Sequence, residues 1–187
     1  DSAEVEKQFV LQFPLPSISV PVLVRNVFYE FDKADITENS KEALDRLTKM
    51  LKENPNITIE LSAHCDNRGN DEYNEKLSQR RSESVVKYLT EQGIQPERLT
   101  AKGYGEKQPK VVNKKLLEAY PFLHENDTLT ENYILQLTPE QQEVCHALNR
   151  RTEFKVLRTT FGLFDEKGNL KPEALKPGEE DLEESAE

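Results

Sequence analysis

The chain has 187 residues, of which 35% are hydrophobic and 32% charged, with 25 Lys and Arg against 35 Asp and Glu. Its net charge of −10 excludes the broad basic face that nucleic acid or an anionic membrane surface requires. No apolar run approaches the roughly 20 residues of a membrane-spanning helix, and 8 Phe, 6 Tyr and no Trp supply one modest core.

The sequence opens at Asp1 with no signal-peptide pattern, as expected of a mature protein or an excised domain. Residues 1–26 read as an extended arm or edge strand, because Pro14, Pro16 and Pro21 bar a central strand. Two β-type runs follow, at 22–24 and 27–31. In the second, Val27, Tyr29 and Phe31 alternate with Phe28 and Glu30. Ala43, Leu44, Leu47, Met50 and Leu51 fall at helical spacing, and Asn54-Pro55-Asn56 ends that helix. Ile57, Ile59 and Leu61 then alternate with polar residues as a strand, and residues 64–70 form a polar loop. A second helix is predicted over 72–92, with Leu77, Val85, Tyr88 and Leu89 as its apolar members and Gly93 as its left-handed cap. A short strand at 99–102 ends at Gly103-Tyr104-Gly105. Those two glycines and Gly69 read as turn residues.

The stretch 107–148 is long for a connection and reads as an insertion with its own helices, at 114–119 and from Thr138. Thr138-Pro139-Glu140-Gln141 is a capping-box start. A last strand covers 152–157. Residues 165–187 hold nine acidic residues and three Lys, net −6, which leaves −4 for the first 164. Together with Pro and Gly this composition predicts an acidic, disordered tail, drawn here as 161–187. Strands joined by helical crossovers predict an α+β fold, with one mixed sheet and both helices packed on one face.

No phosphate loop, dinucleotide fingerprint, zinc-protease motif or nucleophile elbow occurs, and neither catalytic residues nor a cofactor is assigned. Chemistry concentrates at the end of the central strand. Asp66 begins a loop, and Asn74, Ser78 and Arg81 share one face of the helix that follows. An Asp and an Arg converging there suit a zwitterion, the Asp taking an ammonium and the Arg a carboxylate. The plain structural alternative is that Asp66 caps its loop and Arg81 pairs with Glu75 or Glu83.

Asp66-x-x-Gly69, Asn74-x-x-Leu77-Ser78-x-x-Arg81, Val85 and Tyr88-Leu89 together resemble the OmpA-like peptidoglycan-binding domain. Phe31-Asp32-Lys33-Ala34, Gly103-Tyr104-Gly105-Glu106 and Asn149-Arg150-Arg151-x-Glu153-Phe154 match its other motifs, in order, across about 27–157. The resemblance implies a domain at 27–160 that binds the peptide stem of the periplasmic cell wall without covalent chemistry. It implies Asp66 and Arg81 as the principal ligands of a diaminopimelate residue. Asn74 then orders the loop or touches ligand, Ser78 lies on the same helix face, and Asp32 and Arg151 line the pocket. Cys65 departs from the pattern, standing where the family usually has Thr. The long insertion resembles forms that end larger Bacteroidetes outer-membrane lipoproteins, one branch of which works with type IX secretion machinery. In a periplasmic setting the two cysteines predict a Cys65–Cys145 disulfide. Two alternatives stay open: a zinc site that adds His64 and His146, and two buried free thiols.

Overall fold

The computed structural model describes residues 20–29 and 32–172. The N-terminal arm through residue 19 and the acidic tail from residue 173 lie outside the described residues. Four strands form one sheet: β1 (Val22–Leu23), β2 (Thr58–His64), β3 (Leu99–Gly105) and β4 (Arg151–Arg158). Their order is β1-β4-β2-β3, with β2 parallel to β3 and β4 antiparallel to both β2 and β1. Helices α1 (Glu38–Glu53) and α2 (Asp71–Glu91) are the two crossovers. The insertion between β3 and β4 holds α3 (Lys114–Ala119), α4 (Glu131–Ile134) and α5 (Pro139–Asn149).

The sheet face carrying Ile59, Leu61, Phe154 and Val156 packs against Leu44, Leu47 and Leu51 of α1 and Val85 and Leu89 of α2 in one apolar core. The α+β expectation, with both helices on one face, is therefore met. Residue alternation puts Glu60, Ser62 and His64 on the opposite face. There the Glu60 carboxylate accepts from Tyr104 Oη at 2.7 Å and lies 3.4 Å from Lys155 Nζ. Arg98, only 5% exposed, ties α1 to β2 by donating to the carbonyls of Leu51, Asn54 and Ile57 at 2.7–2.9 Å.

Three expectations need correction. The run at 27–31 is not a strand over 27–29. The Phe28 amide donates to Ser40 Oγ at 2.6 Å, and its carbonyl accepts from Ser40 and Thr37 hydroxyls, so its backbone is satisfied by the start of α1. The sheet edge is formed instead by the shorter β1. Strand β3 does not stop at Lys102 but runs to Gly105, and β2 runs through His64. Gly103 is thus no turn residue. A Cβ there would stand 2.1 Å from the Gln79 amide nitrogen, so glycine lets α2 lie directly on β3. Gly69 and Gly105 do take positive φ, +113° and +55°.

The insertion builds a second apolar cluster from Val112, Leu123, Leu129, Ile134 and Cys145. Thr138 and Gln141 close the predicted capping box at the start of α5. Asn149, at the end of α5, ties the insertion together, donating to the Leu129 carbonyl and accepting from the Lys110 amide. Beyond β4 the chain bonds to Asn56 through the Phe161 amide and turns back with Phe164 opposite Leu170.

Candidate functional site

Strand β2 ends at the sheet's centre and delivers Cys65 and Asp66 into the loop before α2. The Cys65 amide still donates to the Gly105 carbonyl at 2.8 Å, so the loop begins from a fixed point. Asn70 caps α2 by accepting from the Tyr73 amide. Asn74, one turn into the helix and 6% exposed, reaches back to the carbonyls of Asp66 and Arg68 at 3.5 and 3.3 Å and to Glu106 at 3.3 Å. It orders the loop. Ser78 is fully buried, donating to the Glu75 carbonyl and accepting from the Gly105 amide at 2.9 Å each. Its hydroxyl is committed to the seam between α2 and β3 and offers nothing to a ligand.

Asp66 is 7% exposed. Its Oδ1 accepts from the Arg68 amide at 2.9 Å and from Arg68 Nε at 3.3 Å. Its Oδ2 accepts from Arg68 Nη2 at 2.9 Å and from Arg150 Nη1. Burial alone would raise the pKa of this carboxyl, but the hydrogen bonds from Arg68 and Arg150 hold it below its ordinary value. Arg68 also pairs with Glu143 of α5 at 2.8 Å. The loop-cap alternative is therefore realised for Asp66, alongside its charged partners.

Arg81 takes neither Glu75 nor Glu83. Its Nε donates to the Lys33 carbonyl at 3.0 Å and its guanidinium lies 4.7 Å over the Tyr29 ring. Tyr29, Ala63, His64, Arg81, Arg150 and Arg151 border a cavity of about 180 Å³. Arg150 joins Asp66 to this cavity, since it pairs with the one and lines the other. Arg151 lines it while bound to Glu153 at 2.6 Å and to the Gln108 carbonyl at 3.0 Å. Asp32 is not brought there. It adopts a positive φ of 59° and borders a separate groove of about 490 Å³ with Arg80 and Glu83. That larger depression shares no lining residue with the Arg81 cavity.

His64 is 3% exposed and stacks on Tyr104, ring centroids 5.3 Å apart. Among the described residues neither ring nitrogen has a hydrogen-bond partner, although Nε2 is 3.6 Å from Glu153. Burial, and then the charge of Arg151, push its pKa down to about 4 against the pull of Glu153. Both cysteines are buried free thiols. Cys65 donates weakly to the Asn74 carbonyl at 3.5 Å, whereas Cys145 is fully buried in the insertion's own cluster. The disulfide expectation is therefore not met, because the two thiols belong to different packing units. Among the described residues no three His, Cys, Asp or Glu side chains gather as a metal site.

Sequence reading missed Arg68 and Arg150 as the partners of Asp66, and Tyr29 beneath Arg81. Arg68 had a local signal, because a loop Asp accepts from the backbone amide two residues on, which brings that residue beside it. Arg150 and Tyr29 had none beyond their motifs.

Residues 28–119 match the family model described as OmpA family. The chain is 37% identical over 86 residues to a peptidoglycan-associated lipoprotein of Pseudomonas putida, covering 46% of this chain and 51% of that protein. It is 36% identical over 117 residues to the photosystem I P700 chlorophyll a apoprotein A2 of Gloeobacter violaceus, covering 61% of this chain and 13% of that protein. The crystal structure of the peptidoglycan-associated lipoprotein from Burkholderia pseudomallei superposes with a TM-score of 0.49 at 23% identity, covering 70% of this chain and 87% of that one. The chain spans at most about half of the two curated relatives. Asp66, Asn74, Ser78 and Arg81 stand in one loop-and-helix unit on the β2-α2-β3 frame, within the residues that match the OmpA family model.

Proposed function

We propose that this domain binds peptidoglycan noncovalently through the diaminopimelate residue of the peptide stem, and so tethers an outer-membrane assembly to the wall from the periplasm. The observation that carries the reading is the pairing of a nearly buried Asp66 with a small cavity bordered by Arg81, Arg150 and Arg151. Arg150 contacts Asp66 and borders the cavity, so both charge signs adjoin one small space, which suits a group bearing an ammonium and a carboxylate. A relative named as a peptidoglycan-associated lipoprotein shares 37% identity over 86 residues, which supports the same polymer as partner. The net charge of −10 does not oppose it, because recognition of a zwitterion is local. Many stems on one polymer raise the effective concentration for a site that is individually weak.

Co-sedimentation with purified sacculi tests the reading. Asp66→Ala and Arg81→Ala should each lower the bound fraction at least about tenfold, the scale of one lost charged hydrogen bond. Pelleting of both variants at the wild-type level would put the site elsewhere.

A further inference from the structure

Asp66 is saturated before any ligand arrives. A carboxylate offers about four acceptor positions, and the Arg68 amide, Arg68 Nε, Arg68 Nη2 and Arg150 Nη1 fill them here. An ammonium group reaches this carboxylate only by displacing a guanidinium. The two guanidinium groups differ in what they can fall back on. Arg68 already holds a second carboxylate, Glu143 on α5, 2.8 Å from its Nη1. Its side chain is 49% exposed and that of Glu143 is 64% exposed, so Arg68 can shift without disturbing the core. His146, one turn along α5, feels the charges of Arg68, Asp66, Glu143 and Arg150, which places this face of the insertion at the binding loop. Arg150 instead borders the cavity, where a ligand carboxylate would hold it in place.

We propose that Arg68 is a built-in surrogate for the ligand's ammonium: it occupies Asp66 in the empty site and retreats to Glu143 of the insertion when the ammonium binds. The inference rests on the reading of Asp66 as the ammonium's partner. The exchange swaps one cation for another on Asp66, so a ligand without a positive charge gains nothing there. It also gives the insertion a task. Glu143, distant from the loop in sequence, sets how readily Asp66 is released, and the insertion thereby tunes affinity for the wall.

A double-mutant cycle read by calorimetric titration tests this, with a soluble muropeptide carrying a free diaminopimelate ammonium group as probe. Arg68→Ala should bind about three- to tenfold tighter than wild type, since a charged hydrogen bond no longer has to break. Glu143→Gln should bind about two- to fivefold weaker, because Glu143 shares Arg68 with Asp66 in the empty site and holds it alone in the bound one, a difference on the scale of an exposed ion pair. In the Arg68→Ala background, Glu143→Gln should change nothing. Glu143→Gln leaves every bond to Asp66 in place, so its sign is readable even if Arg68→Ala slackens the loop. Three results would overturn the proposal: Glu143→Gln binding as tightly as wild type, its effect persisting without Arg68, or tightening by Arg150→Ala in place of Arg68→Ala. Asp66→Ala separates the two levels. Loss of binding in Asp66→Ala with no coupling in the cycle removes the surrogate alone, whereas wild-type binding by Asp66→Ala removes the ligand assignment as well.

Discussion

His64 is the residue whose environment conflicts most with its chemistry. An imidazole that is 3% exposed, stacked on Tyr104 and without a hydrogen-bond partner among the described residues is stable only when neutral. Its pKa of about 4 in the folded protein lies below the ordinary value of 6.5. The unfolded chain therefore takes the proton first as pH falls, and stability is lost progressively between pH 6.5 and about 4. The full loss is on the order of 3 kcal/mol. Asp66 and Glu153 are also held below their ordinary values, so their contribution is present above the usual carboxylate range and is lost at still lower pH. Urea midpoints measured from pH 7 to 4.5 should fall steeply for the wild type and much less for His64→Phe, which keeps the ring stack and cannot ionise. His146, likewise pushed down by burial, leaves a smaller residual slope. Equal slopes in the two proteins would mean that His64 gains a proton in the folded state as easily as in water.

At the scale of elements, the seam between α2 and β3 positions the site. Ser78 accepts from the Gly105 amide and Gln79 accepts from the Gly103 amide at 2.7 Å, so side chains of the helix bond directly to the strand's backbone. This contact requires the missing Cβ of Gly103, since the atoms in its way are the backbone N and Cα of Gln79 at 2.1 and 2.5 Å. Gly103→Ala should destabilise the protein by about 3 kcal/mol, the upper part of the overpacking range. It should also weaken peptidoglycan binding, because Asn74 and Arg81 ride on the displaced helix. A loss below about 1 kcal/mol in chemical denaturation would show that the helix shifts freely. The same seam shows what was legible in the sequence. Local signals found α1, α2, α3 and the start of α5, since periodicity and capping residues act within a turn or two. Gly103 looked like a turn because glycine has two uses, and only the tertiary approach of α2 tells them apart. The residues at 27–29 looked like a strand, but Thr37 and Ser40, nine and twelve residues on, supply the hydrogen bonds of Phe28. In the candidate site, the grouping of Asp66, Asn74 and Arg81 on one loop and helix was legible through their spacing and family resemblance. Arg150 and Glu143 were not, because their contacts with the loop span 84 and 75 residues.

On the scale of the whole molecule the described chain has two cores, and the loop holding Asp66 lies where they meet. The main core joins α1, α2 and the sheet, while the insertion packs around Leu129, Ile134 and Cys145. The Lys110–Glu153 and Arg68–Glu143 pairs bridge them. Both bridges are polar, and the second is largely exposed, so they couple the units weakly compared with the apolar packing inside each. The even cysteine count pointed to a covalent link between the same two units, but each thiol is buried in its own unit, which counting could not reveal. Those thiols now serve as reporters. Burial raises the pKa of both, so each reacts only when its surroundings open. Leu129→Ala removes a fully buried side chain from the insertion and should destabilise that unit by about 2–5 kcal/mol. Under native conditions it should speed labelling of Cys145 by at least about tenfold while leaving Cys65 near its wild-type rate. Leu89→Ala, in the main core, should speed Cys65 instead. Parallel acceleration of both thiols in either variant would mean that the insertion and the main domain open as one cooperative unit. The insertion would then act on the proposed wall-binding loop through global stability, and not through a local contact such as Glu143.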